Sequence, residues 1–259
     1  MPNPILEIKS SQIALPLPKE AKVSVEKGAH VSSGEVLAET PDVFQECNLA
    51  KALKTSPQKV DQSLVVATGT FVKEGEIIAR RKTLLSEIVF KSPATGFFSE
   101  LLPEGVIKIK VGDKTEIRSP AKGIVLDVQV GNVLTLECDA VVLTGVTSFG
   151  LQTEWGQVEI LNDQEKTLLA NLPQESSGKI FVARGKVDLG FVHKAEALGA
   201  SGIICNDLEG QLKRTDLAII ALEDKAGKIG DEVWKVLKKY NGKRAVVMPD
   251  EKIFKIPLN

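Results

Sequence analysis

Read for apolar spacing, the chain divides into two stretches of different character. Up to about residue 145, apolar positions come as short alternating β-branched runs broken by glycine, the period of strands with one buried face. Two units match each other there. Residues 23–39 read VSVEKGAHVSSGEVLAE and residues 65–80 read VVATGTFVKEGEIIAR. In each, a β run leads through a glycine (Gly28, Gly69) to a valine (Val31, Val72). Three residues later come Gly34-Glu35 or Gly75-Glu76 and a second apolar run.

A second matched pair follows, KSPATGFF at 91–98 and RSPAKGIV at 118–125. Behind them run Val106, Ile107, Ile109 and Val111 in one copy, and Val128, Val130, Val133, Leu134 and Leu136 in the other. Proline holds the serine before it extended, and Gly96 and Gly123 allow a positive φ or a close backbone approach. These units predict a compact β module of strongly bent strands. Between the Gly-Glu units, Leu49, Leu53, Val60 and Leu64 fall at helical spacing and Ser56-Pro57 reads as a helix start. One or two short helices are expected near 48–64. The glycine-punctuated stretch 145–160 is expected to close the β half, with Phe149 and Trp155 sealing it.

Residues 161–178 are polar and contain Pro173 and Ser176-Ser177-Gly178, the composition of a linker. Beyond them strand and helix alternate: strands at 179–183, 202–205, 217–222 and 244–249, helices at 187–198, 208–213 and 229–240. These strands are continuous apolar runs, which argues for a parallel sheet covered on both faces. The predicted fold class is therefore mixed β and α/β: a β module over 1–160, a linker over 161–178 and a small parallel α/β domain over 179–259.

Composition adds mainly exclusions. With 43% hydrophobic and 26% charged residues the chain is an ordinary globular sequence. Aromatics are only 5%, so the cores must be built from Val, Ile, Leu and Ala. A net charge of -1 gives no general attraction to nucleic acid or to an anionic membrane. Lys235, Lys238, Lys239, Lys243 and Arg244 read as the solvated side and end of a helix. Cys47, Cys138 and Cys205 are odd in number and far apart, and the two histidines are His30 and His193. Neither a disulfide framework nor a Cys/His metal site is expected. No stretch approaches eighteen apolar residues and MPNPILEIKSSQ is no signal peptide, so the expected location is cytoplasmic and no membrane is involved.

The Gly34-Glu35 and Gly75-Glu76 hairpins and the two SPAxG units resemble the half-motifs of barrel-sandwich hybrids, the biotinyl/lipoyl-like group that includes carrier domains and modules of transporters and RNA polymerase. The likeness spans about residues 12–145. The order of parts over the whole chain is similar to that of a group of uncharacterised bacterial proteins joining such a module to a small α/β domain. Carriers place an acylated lysine at a hairpin tip inside Asp-Lys-Ala or Met-Lys-Met. Neither pattern occurs here: Phe44 and Leu85 stand at the equivalent distance, and Lys82 has the wrong neighbours. Residues 179–207 also resemble protease-associated domains.

No GxGxxG follows a strand, and no GxxxxGK[ST], HExxH or GxSxG occurs. No catalytic residue, metal site or cofactor is expected. In a parallel sheet, ligands bind beyond the carboxyl ends of the strands. The residues there are Arg184, Lys186, Asn206, Asp207 and Asp224, a polar rim of both signs. The expected function is that of a non-catalytic binding or scaffold protein whose partner is another protein or a second copy. The alternatives are a protein or enzyme using that rim for an anion or metabolite, held by Arg184, Lys186 and the helix start after them, and an acyl or biotin carrier.

Overall fold

The computed structural model describes residues 5–83, 86–161, 163–223 and 226–258. Leu85 and Asp224 lie outside the described residues. The chain is mostly strand, in a large mixed sheet with several smaller sheets and few helices.

The repeated units pair in a nested order. Val36–Thr40 runs antiparallel to Thr115–Arg118, and His30–Val31 pairs with strand Gly123–Gln129, which turns back onto Val133–Thr144. In the second copy Ile77–Lys82 pairs with Glu87–Lys91. Phe71–Val72 pairs there with Gly96–Leu101, which turns back onto Val106–Gly112. The first Gly-Glu unit thus meets the second Ser-Pro unit, and the second Gly-Glu unit meets the first. An inner copy, residues 43–112, is inserted into one hairpin of an outer copy.

The two copies share their hydrogen bonds at offsets of 41 and 27 residues. Gly28 N–H donates to Val125 O at 2.8 Å, and Gly69 N–H to Phe98 O at 2.7 Å. Gly34 N–H reaches Ser119 O, and Gly75 N–H reaches Ser92 O, both at 2.8 Å. The glutamate of each Gly-Glu closes its own turn, since Glu35 accepts from Ser32 N–H and Glu76 from Lys73 N–H at 2.8 Å. Each Ser-Pro serine also donates its hydroxyl two residues on, to Ala121 O and Ala94 O, at 2.6 Å. Gly34 and Gly75 sit at φ of +79° and +81°, where a side chain is strained. Gly96 and Gly123 instead serve close approach: a Cβ would lie 2.2 Å from Lys110 O and 2.3 Å from Glu137 O.

Each copy has its own core, filled at matching positions. Val31, Leu37, Val125, Leu134 and Leu136 are buried in the outer copy, Val72, Ile78, Phe98, Ile107 and Ile109 in the inner one. The helical insert is helix Leu49–Ala52 followed by 3-10 turns Pro57–Lys59 and Asp61–Ser63. Asn48, not Ser56, makes the side-chain cap, accepting from Lys51 N–H at 2.8 Å. Leu49, Leu53 and Val60 complete the inner core.

Strand Val133–Thr144 joins the two halves. Its outer-copy half alternates buried and half-buried residues, and from Ala140 to Leu143 both faces are buried. There it pairs with Ile253–Pro257, so one sheet runs from the outer copy into the C-terminal part. Four strands of that part are parallel: Glu154–Ile160, Lys179–Val182, Gly202–Cys205 and Ala218–Ala221. Helix Leu189–Ala197 packs on one face and helix Asp231–Lys238 on the other.

Several expectations are corrected. Arg244–Met248 is antiparallel to Glu154–Ile160, so the sheet is mixed. Residues 145–160 do not close the β half: Thr147–Phe149 is an edge strand on Ala218–Ala221, and Glu154–Ile160 lies inside the C-terminal sheet. Val158 and Ile160 carry the apolar side of that strand into the core. Trp155 alone seals the outer copy, with its indole N–H donating to Ala14 O at 3.0 Å. Phe149 packs beside helix Leu189–Ala197. Segment 161–178 holds strand Lys166–Thr167 and the 3-10 turn Leu169–Asn171. The expected helix at 208–213 is strand Asp207–Glu209, because a run that short gains too few helical bonds and Leu208 is drawn into the core.

Candidate docking surface

The strand-end rim is partly drawn inward. Strands 179–182 and 202–205 turn at Arg184-Gly185 and Asn206 and continue as a second parallel sheet with Lys166–Thr167. Lys186 and Asp207 stand opposite each other there, with Nζ 3.2 Å from Oδ2. Asn206 is buried, and its N–H donates to Gly185 O at 3.0 Å. Arg184 points elsewhere: its Nε–H donates to Ile229 O at 3.1 Å, and its other nitrogens bond Asp163 and Asp231. Its guanidinium lies 5.9 Å from the Trp234 ring. Bonding to Arg184 holds the Asp163 carboxyl below the usual aspartate value. The helix start after Lys186 already faces a carboxylate, since Asp188 accepts from Phe191 N–H at 2.6 Å. The rim therefore brings Lys186, Asn206 and Asp207 together, and spends Arg184 on a structural strut.

His193 is exposed on its helix with Nδ1 4.0 Å from Glu196. Glu196 itself accepts from Thr215 Oγ1 at 3.0 Å and from Asp216 N–H at 2.7 Å. The cysteines are dispersed among three cores. Burial pushes the Cys138 thiol up to about 11 and raises Cys205 and Cys47 as well. Among the described residues, no helix is long and apolar enough to cross a membrane.

A cluster of exposed aromatics lies on the inner copy. Its outward face carries one row across four strands: Phe71 opposite Phe97, Phe97 opposite Lys110, Lys110 opposite Phe44. Phe71, Phe97 and Phe44 are 49%, 52% and 39% exposed. The Phe71 and Phe97 rings meet edge to face with centroids 5.2 Å apart, a favoured geometry for an aromatic pair. Lys108 lies 5.8 Å from the Phe44 centroid and 3.1 Å from Glu100.

The outer copy supplies an internal comparison. The same row there is His30, Ile124, Glu137 and Gln12. The fold therefore does not require aromatics at these positions, and the exposed Phe row is particular to the inner copy. Aligning the two repeats by their glycines places Phe71 against His30 and Phe97 against Ile124, a contrast present in the sequence itself.

Beside this row, a groove of about 610 Å³ runs where the chain crosses between copies. Pro18, Pro41, Val43 and Phe44 give it apolar walls; Glu20, Asp42 and Asp113 give it three carboxylates. The two crossing segments are stapled together. Lys110 Nζ lies 2.9 Å from both Asp42 and Asp113, and Lys114 Nζ lies 2.7 Å from Glu39. The Lys114 N–H also donates to Asp42 at 2.8 Å. Hydrogen bonding to Lys110, then to that N–H, holds the Asp42 carboxyl low, and the same pairing raises Lys110.

Compared with protein-family profiles and with curated protein sequences, the chain matches none.

Proposed function

We propose that this chain is a non-catalytic binding protein, and that the outward sheet face of the inner copy is its docking surface for another protein. The observation that carries this reading is the Phe71–Phe97–Lys110–Phe44 row, set against a row without aromatic carbocycles, His30, Ile124, Glu137 and Gln12, at the same positions of the outer copy. Exposed aromatics clustered together and rimmed by polar residues are typical of interaction sites. Polyanions are disfavoured at this face, where Glu46, Glu100, Asp42 and Asp113 outnumber the two lysines they pair with.

We read both copies as barrel-sandwich-hybrid modules. In that reading the hairpin tip where a carrier presents its lysine is occupied, in the outer copy, by the whole inner copy. In the inner copy it is the turn after Lys82, where Thr83 N–H bonds Ser86 O at 2.7 Å. Neither tip favours a carrier. An intact mass from the native host showing an acyl or biotinyl addition would reverse this. Three separated thiols suit a reducing compartment, and on that ground we place the protein in the cytoplasm. The rim reading has weaker support, because Arg184 and Asp188 already spend their charges inside the protein.

The test is a comparison of variants in native-host extract. The Phe71→Ser/Phe97→Ser pair is expected to abolish a complex that the wild-type chain and an Ile124→Ser variant both retain. A complex unaffected by the Phe pair removes this face from the account.

A further inference from the structure

The groove beside the Phe row has a chemistry of its own. Among the described residues, its lining contains Glu20, Asp42 and Asp113 but no lysine or arginine, against apolar walls of proline, Val43 and Phe44. Lys110 contacts both Asp42 and Asp113 from outside that lining. Lys110 serves both of those carboxylates, Lys114 pairs with Glu39 beside them, and Glu20 adds a third carboxylate to the lining. The groove carries excess negative charge over an apolar floor.

It is also continuous with the docking face. Phe44 both ends the aromatic row and lines the groove. Asp113 lines the groove and also the depression between Phe71 and Phe97. An apolar floor with an acidic rim and an accessible phenyl ring is complementary to a cation on an aliphatic stem, since the stem packs on apolar surface and the charge meets carboxylate or ring. The volume lies in the range that takes a compact ligand or a side chain with its neighbours.

We propose that this groove receives a lysine or arginine side chain carried on an extended, otherwise apolar segment of the partner protein. The inference rests on the docking face described above and specifies the chemistry at its edge. Ion pairs Lys110–Asp42 and Lys114–Glu39 tie the two crossing segments together at the side of the groove.

The probe is a pair of capped pentapeptides, acetyl-Val-Arg-Val-Arg-Val-amide and its Arg→Glu counterpart, titrated into the full chain labelled for amide NMR. The arginine peptide is expected to shift the amides of Asp42–Phe44 and Asp113–Thr115, and to bind more weakly as salt rises. The glutamate peptide is expected to leave them in place. Glu20→Gln and Asp113→Asn together should weaken the arginine peptide about tenfold, a loss of ~1.4 kcal/mol, with the rest of the spectrum native. Equal binding of both peptides, or no shift at the groove, overturns the proposal. Shifts confined to Phe71 and Phe97 remove the groove while keeping the face. Shifts confined to the groove, with a Phe71→Ser/Phe97→Ser chain still holding its complex, keep the groove and remove the face.

Discussion

Replacing Gly96 with alanine puts one methyl group where the strands of the inner copy come closest. The new Cβ would sit 2.2 Å from Lys110 O and 3.0 Å from Lys110 C, against ordinary contact from 3.4 Å. Both neighbours are backbone, so no side chain can swing away. The strand pair must part by about 1.2 Å, the gap between those two distances. Overpacking of this kind costs about 1–3 kcal/mol, and stretched ladder bonds add about 1 kcal/mol. A total of about 3 kcal/mol corresponds to a midpoint lower by roughly 6–12 °C for a chain this long. Gly69→Ala is the control: open space surrounds it, and its φ of +86° leaves only the left-handed strain, ~1–2 kcal/mol. Hydrogen exchange read by mass spectrometry locates the damage. Gly96→Ala should speed exchange in Gly96–Leu101 and Val106–Gly112 and leave Val133–Thr144 protected. Gly123→Ala, whose Cβ meets Glu137 O at 2.3 Å, should do the reverse. A Gly96→Ala chain as stable as wild type, or one loosened equally in both copies, refutes the reasoning.

Other outcomes follow from the same geometry. Phe97→Ser should cost under about 1 kcal/mol and Phe98→Ala about 3–5 kcal/mol in denaturant titration, because adjacent side chains face solvent and core. In thiol labelling with mass readout, Cys47 should react first, and Cys138 and Cys205 only on unfolding, since both are buried. Asp163 and Asp42 titrate below the usual aspartate value when folded. Their contribution is therefore complete above that value and is lost as pH falls through the folded ones. Thermal melts should show an acid limb below about pH 4, shallower in Arg184→Met and in Lys110→Met.

Much of the fold was legible where local chemistry repeats. The Gly-Glu and Ser-Pro units marked strands and turns correctly because each closes its own turn with its own side chain. The order of pairing was not legible, because the two Gly-Glu units share one pattern and the two Ser-Pro units another. The place of strand Glu154–Ile160 in the C-terminal sheet is not legible locally, because its neighbours lie far away in sequence, at Lys179–Val182 and Arg244–Met248. At the rim, charge was visible but direction was not: nothing around Arg184 in the sequence discloses that Asp163 and Asp231 claim its guanidinium. The Phe row escaped for the opposite reason, since alternation marks a strand but does not say which face lies outward.

The most direct measurement is photo-cross-linking from position 97, with position 124 as the matched site in the other copy. A benzophenone amino acid is placed at one or the other in the native host and irradiated. A discrete covalent adduct to another protein is expected from position 97 and none from position 124. Equal adducts from both sites, or silence at 97, would contradict the assignment of the inner-copy sheet as the docking surface.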